Sequence, residues 1–136
     1  ETGIAIDGLL SEGLLLNIFE KDTPLHDGAV IIRGNRIVAA TCLLPLTENR
    51  NLSRELGTRH RAALGVTEQS DAIVVVVSEE TGTISIARNG ELMRYLHGDD
   101  VREILSDALF AKSNTAKDNL IGKVLGNLKN ARGDKK

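Results

Sequence analysis

Two short turn signals, Gly34-Asn35 and Asn89-Gly90, each lie between runs that read as strands. They constrain the fold more than any other feature, because a two-residue loop joins antiparallel neighbours, whereas parallel strands need a long crossover. The first pair predicts a hairpin with strands over residues 29–33 and 36–44, the second of them stopped by Pro45. Beyond Asn89-Gly90, which follows an alternating strand over residues 84–87, a short strand is expected to run through Tyr95. The unbroken Ala-Ile-Val-Val-Val-Val of residues 72–77 predicts a central strand covered on both faces, and Glu80-Thr81-Gly82-Thr83 a turn after it.

Helical periodicity appears in three places. Asp7 or Ser11 is expected to cap a helix carrying Leu10, Leu14, Leu15, Ile18 and Phe19, which Thr23-Pro24-Leu25 ends. A second helix is expected from about residue 58 to 65, after a polar loop over 47–53. Asp100 and Glu103 suggest a capping box ahead of Val101, Ile104, Leu105 and Ala108, which share one face. The expected fold is α/β: a mixed, largely antiparallel sheet flanked by helices in one domain over residues 1–110. Residues 111–136 then form an appendage. There Leu120, Ile121, Val124, Leu125 and Leu128 mark a stripe beside Lys117, Lys123 and Lys129, which fits either a basic amphipathic helix or a loosely packed tail.

Composition excludes several functions. The only aromatic residues are Phe19, Tyr95 and Phe110, so the core must be aliphatic and no aromatic platform for stacking RNA bases exists. The single cysteine, Cys42, rules out an intrachain disulfide and a Cys-rich zinc site, and reads as a small buried hydrophobe. Residues 1–110 carry net charge −7 and residues 111–136 net +5, so the body does not suit a nucleic-acid backbone. No apolar run approaches the roughly 18 residues of a membrane span and no signal peptide is visible, which predicts a soluble, intracellular chain.

Two motifs carry chemistry. Asp27-Gly28-Ala29 sets a carboxylate on a glycine turn at the mouth of a strand, where small side chains let a ligand approach the backbone. Gly57-Thr58-Arg59-His60-Arg61 gathers hydroxyl, guanidinium and imidazole donors at a helix start, an arrangement suited to phosphate. Taken singly, Asp-Gly is commonly just a turn and Arg-His-Arg a solvated face. Jointly they suggest a site for a nucleoside triphosphate and a metal, in which Asp27 orients a hydroxyl or holds the metal.

The wording of these motifs resembles the diadenylate cyclases, which join two ATP molecules into cyclic di-AMP. The resemblance covers nearly all of residues 1–110. It is carried by Glu1-Thr2-Gly3-Ile4, Asn17-Ile18-Phe19, Thr23-Pro24-Leu25-His26-Asp27-Gly28-Ala29-Val30, Leu44-Pro45-Leu46, Glu55-Leu56-Gly57-Thr58-Arg59-His60-Arg61-Ala62-Ala63 and Ser78-Glu79-Glu80-Thr81-Gly82. It is strongest to the subgroup whose cyclase domain follows membrane helices, and in that family a further helix and strand precede the Glu-Thr-Gly segment.

The resemblance implies a role for each motif. Asp27, Gly28 and Ala29 line the ribose and metal side, and Leu44 offers backbone groups to adenine. Gly57, Thr58, Arg59, His60 and Arg61 hold the phosphates, with Asp27, Arg59 and His60 the catalytic set. Ser78, Glu79 and Glu80 close the site, and His26, Asp27, Glu79 and Glu80 are the candidate ligands of a divalent metal (Mn²⁺, Mg²⁺ or Co²⁺). Leu43 stands where family members often carry a Tyr that could stack on adenine. The resemblance also implies a face-to-face homodimer, ATP as substrate, no nucleic-acid partner, and a full-length protein anchored at the cytoplasmic face of the membrane. A nucleotide-binding regulatory module without catalysis is the alternative.

Overall fold

The computed structural model describes residues 3–110. Glu1-Thr2 and the basic stretch 111–136, with its apolar stripe, lie outside the described residues. The elements run β1 (Ile4–Leu9), α1 (Glu12–Ile18), β2 (Ala29–Arg33), β3 (Arg36–Cys42), α2 (Thr58–Glu68), β4 (Ile73–Val77), β5 (Ile84–Arg88), β6 (Glu91–Leu96) and α3 (Gly98–Phe110). The fold is α/β, with strands in two three-stranded antiparallel sheets of order β1-β3-β2 and β4-β5-β6.

Contacts cluster in two compact units, one over residues 3–74 and 87–91, the other over 75–86 and 92–110. In the first, β3 is the middle strand, and its residues Ile37 and Ala40 form a core with Ile18 of α1. Ile6, Leu14, Leu15, Leu25, Val30 and Ile32 pack against that core, which is aliphatic throughout. In the second, Ser85 and Ile86 of β5 and Val101, Ile104 and Ala108 of α3 are buried.

Both turn signals form their hairpins. Gly34 adopts φ 62° between the paired Arg33 and Arg36, and Asn89 and Gly90 take φ 54° and 78°, the left-handed pair a type I′ turn requires. The first strand was not anticipated. Asp7, expected as a helix cap, lies in β1 at φ 49°, where the register between β1 and β3 shifts. Its carboxylate accepts a 3.0 Å hydrogen bond from Arg36 Nε, and its carbonyl oxygen a 2.8 Å one from Arg36 Nη2. Asp side chains tolerate this conformation, so a bulge forms where a helix start was expected. Ser11 is the cap, its Oγ accepting from the Leu14 N–H at 3.1 Å. The helix closes at Ile18, ahead of Thr23-Pro24-Leu25.

Two further expectations change. Residues 73–77 form the edge strand of their sheet rather than its centre; β5 takes the middle, and its Ser85, Ile86 and Ala87 are buried where a half-buried strand was expected. An all-apolar run signals burial, but not which strand has two neighbours. In α3 the capping box is shifted: Asp100 is the third helical residue, and its Oδ2 accepts the His97 N–H at 2.8 Å. Asp100 thus supplies the carboxylate that reaches back, not the cap itself.

Candidate functional site

The first motif is held by β3. Ala29 pairs with Cys42, which leaves Asp27 and Leu44 each two residues beyond the last rung of the ladder. Gly28 adopts φ 108°, and a Cβ there would lie 2.8 Å from both the Cα and the carbonyl carbon of Thr41. Only glycine brings the loop this close to β3. Thr41 is itself left-handed at φ 55°, unusual for a β-branched residue, so both chains bend at the mouth of the ladder. The turn leaves the Asp27 side chain 89% exposed.

His26 precedes it. Its Nδ1 lies 3.0 Å from the Thr23 carbonyl oxygen, an atom that can only accept. Nδ1 therefore donates in this contact, which leaves Nε2 as the other ring nitrogen able to meet a ligand.

The second motif opens α2. Gly57 is the N-cap and makes no side-chain capping bond, and the amide end of a helix suits an anion. Thr58 is exposed and Arg59 and Arg61 are half-buried, whereas His60 is only 7% exposed. The basic cluster is thus split: two guanidiniums remain accessible, and the imidazole is buried.

The fold brings the two motifs together. Arg59 Nη2 lies 4.0 Å from Asp27 Oδ1. The segment after Leu44 joins them, because the Thr47 N–H donates to the Arg61 carbonyl at 3.0 Å. An open groove of about 720 Å³ lies beside this contact, lined by Thr47, Glu48, Asn49, Arg50 and Arg61. Leu43 is 75% exposed.

Ser78, Glu79 and Glu80 belong to the second unit. There the Ser78 Oγ accepts from the N–H groups of Glu80 and Thr81, each at 3.3 Å, and Gly82 N–H donates to the Ser78 carbonyl at 2.9 Å. Among the described residues, no three His, Cys, Asp or Glu side chains converge as metal ligands.

Several structural partners of the site carried little sequence signal. Thr41, Pro45 and Thr47 are ordinary strand and loop residues, and Gly65, the expected end of the second helix, lies inside α2, which continues to Glu68.

Comparison with known proteins bears on this geometry. The family described as DAC, DisA bacterial checkpoint controller nucleotide-binding, matches residues 1–92. The cyclic di-AMP synthase CdaA of Bacillus subtilis is 52% identical over 113 residues, covering 83% of this chain and 41% of that protein. A diadenylate cyclase of Listeria monocytogenes is 55% identical over 105 residues, covering 77% of this chain and 38% of the relative. The chain thus spans about two fifths of the length of these relatives. Among solved structures, a double mutant of DacA from Staphylococcus aureus aligns with TM-score 0.69 at 52% identity, covering 71% of this chain and 64% of that one. A hypothetical membrane spanning protein from Bacillus cereus aligns equally well, TM-score 0.69 at 49% identity, over 71% of this chain and 48% of its own. With more than half its length matched by the family and relatives above 50% identity, the chain belongs to the DAC family, the DisA bacterial checkpoint controller nucleotide-binding family.

Proposed function

We propose that the protein is a diadenylate cyclase, which condenses two ATP molecules into cyclic di-AMP and releases two pyrophosphates. The observation that carries this reading is the meeting of the Asp27 carboxylate with the Arg59 guanidinium at 4.0 Å, beside the start of α2. The names of the relatives, cyclic di-AMP synthase and diadenylate cyclase, point the same way.

In each bond-forming step a ribose 3′-oxygen attacks an α-phosphorus, and the bond from that phosphorus to the pyrophosphate oxygen breaks. Asp27 accepts a hydrogen bond from the attacking hydroxyl, which orients it and favours loss of its proton. Thr58, Arg59 and Arg61 donate to the phosphate oxygens, where negative charge builds as pyrophosphate leaves. His60, buried in the first turn of α2, adds a further donor. Leu44, beyond the end of β3, offers its backbone groups to adenine, and Ser78 retains a hydroxyl proton for donation because its oxygen already accepts two N–H bonds.

A divalent cation fits a site of this kind only with help from the nucleotide. Asp27 presents an exposed carboxylate and His26 a ring nitrogen, two oxygen or nitrogen donors where a protein-only cage needs more. His26 and Asp27 would hold the ion together with phosphate oxygens, and Mn²⁺, Mg²⁺ and Co²⁺ all accept such sets. When bound, the ion supplies neutralisation of phosphate charge and a lowered hydroxyl pKa.

Two phosphodiester bonds between two nucleotides require two such sites, so the active species is a face-to-face homodimer. Among the described residues no helix is long and apolar enough to cross a membrane. The full-length protein is membrane-anchored through segments outside this chain, with the catalytic domain on the cytoplasmic face, where ATP is found. The B. cereus neighbour, described as membrane spanning, supports this placement.

Incubation with ATP and Mn²⁺, Mg²⁺ or Co²⁺, followed by chromatography, tests the reading. Cyclic di-AMP and pyrophosphate are expected, and chelation should abolish both. ATP binding with no cyclic product under any of these metals would leave a regulatory nucleotide-binding module instead.

A further inference from the structure

Gly65 is buried in α2, three residues before its end, a position where alanine would stabilise an isolated helix. What glycine provides there is proximity. A Cβ at Gly65 would overlap the carbonyl oxygen of Pro45 and lie 2.7 Å from its carbonyl carbon and 2.9 Å from that of Leu46. These are backbone atoms of a chain tied down elsewhere, so they cannot swing aside as a side-chain tip does.

The ties are on the same helix face. Thr47, 7% exposed, donates its N–H to the Arg61 carbonyl at 3.0 Å and its hydroxyl to Glu68 Oε2 at 2.7 Å. Residues 61, 65 and 68 fall at i, i+4 and i+7, one stripe along the helix. Residues 45–47 therefore lie flat along α2. They follow directly on Leu44, and α2 begins with Thr58, Arg59, His60 and Arg61.

We propose that Gly65 is a positioning residue that sets the span between the base and phosphate halves of the nucleotide site. This rests on the ATP-site reading above, in which Leu44 serves adenine and the start of α2 serves the phosphates. By letting residues 45–47 touch the helix backbone, Gly65 fixes how far Leu44 stands from Arg59 and Arg61. A nucleoside triphosphate engages both halves at once only at that spacing. The two halves, bound separately, are indifferent to it. A side chain at residue 65 would thus tax the joined ligand and spare its parts.

The experiment compares wild type with Gly65→Ala by calorimetric titration of ATP, adenosine and inorganic tripolyphosphate, alongside thermal melts. Wild type should bind ATP far more tightly than either part. In Gly65→Ala, ATP affinity should fall at least tenfold, while adenosine and tripolyphosphate affinities change less than about twofold. Thr47→Val provides a milder version, removing the Glu68 hydrogen bond but keeping the backbone tie, and should weaken ATP about threefold with the same sparing of the parts. Unchanged ATP affinity in a folded variant would overturn the proposal. So would equal weakening of all three ligands with a lowered melting temperature, which would make the contact merely structural. Failure of both variants to fold would do the same. Wild type that binds no ATP would instead overturn the underlying site reading, a result distinct from each of these.

Discussion

Arg59 Nη2 stands 4.0 Å from Asp27 Oδ1, although the two residues belong to motifs separated by a whole hairpin and a loop. The Asp27 side chain is 89% exposed and that of Arg59 34%, so the pair contributes little to folding. Its significance is placement, because it puts the hydroxyl-side carboxylate and a phosphate-side cation within one nucleotide's reach. It also sets Asp27 against an arriving phosphate, since both anions are drawn to the Arg59 guanidinium.

That competition separates binding from turnover at Asp27. Asp27→Asn keeps the side chain's size but removes its charge, which weakens the hold of residue 27 on the Arg59 guanidinium. ATP affinity should hold or improve, while cyclic di-AMP formation should fall by at least about a hundredfold, the scale of a lost acid–base or positioning group. Titration calorimetry and product chromatography on the same preparation check both, and wild-type-like product formation would exclude the role.

Arg59→Ala should behave differently. A hydrogen bond to a charged group is worth about 1.5–3 kcal/mol, so ATP affinity should drop by roughly ten- to a hundredfold. The melting temperature without nucleotide should move little, because the side chain is not core. A large loss of stability with unchanged ATP affinity would return Arg59 to a structural role.

Gly28 and Gly34 form a matched pair. Both take left-handed backbone angles, but a Cβ at Gly34 meets nothing within 4 Å, whereas one at Gly28 strikes the Thr41 backbone at 2.8 Å. Gly34→Ala should cost about 1–2 kcal/mol from conformation alone. Gly28→Ala should cost more and abolish activity as well, as urea unfolding and the cyclase assay on both variants would reveal.

Thr67, 2% exposed, donates its hydroxyl to the Leu64 carbonyl and accepts from the Gly90 N–H, each at 3.0 Å. It thereby fastens the Asn89-Gly90 turn to α2. Thr67→Val keeps the shape and leaves the Gly90 N–H unsatisfied, at a cost of about 1–3 kcal/mol. Denaturant unfolding should register the loss with ATP affinity unchanged.

The paired-site mechanism makes its own prediction. Activity per subunit should rise with protein concentration, and doping wild type with Asp27→Asn should lower activity by more than dilution. A per-subunit rate that stays flat into the monomeric range by sizing would exclude the two-fold arrangement.

Local chemistry made much of this protein legible in the amino-acid sequence. Gly34-Asn35 and Asn89-Gly90 dictate hairpins because few residues tolerate the positive φ taken by Gly34, Asn89 and Gly90, and Ser11 dictates a helix start because its oxygen reaches the Leu14 N–H. The motifs around Asp27 and Arg59 were legible as chemistry for the same reason, each being a short run of residue types. What needed the tertiary structure was everything set by partners distant in sequence. Asp7 reads as a cap until Arg36 holds it in a bulge, and residues 73–77 read as a central strand until their sheet places β5 in the middle. His60 is indistinguishable from Arg59 and Arg61 by sequence, yet the packing of α2 buries it and leaves them accessible. Gly65 reads as the end of a helix until α2 continues past it with the carbonyl of Pro45 against it. Propensity is a property of a few adjacent residues, whereas burial, register and close approach depend on which segments meet, and only the folded chain decides that.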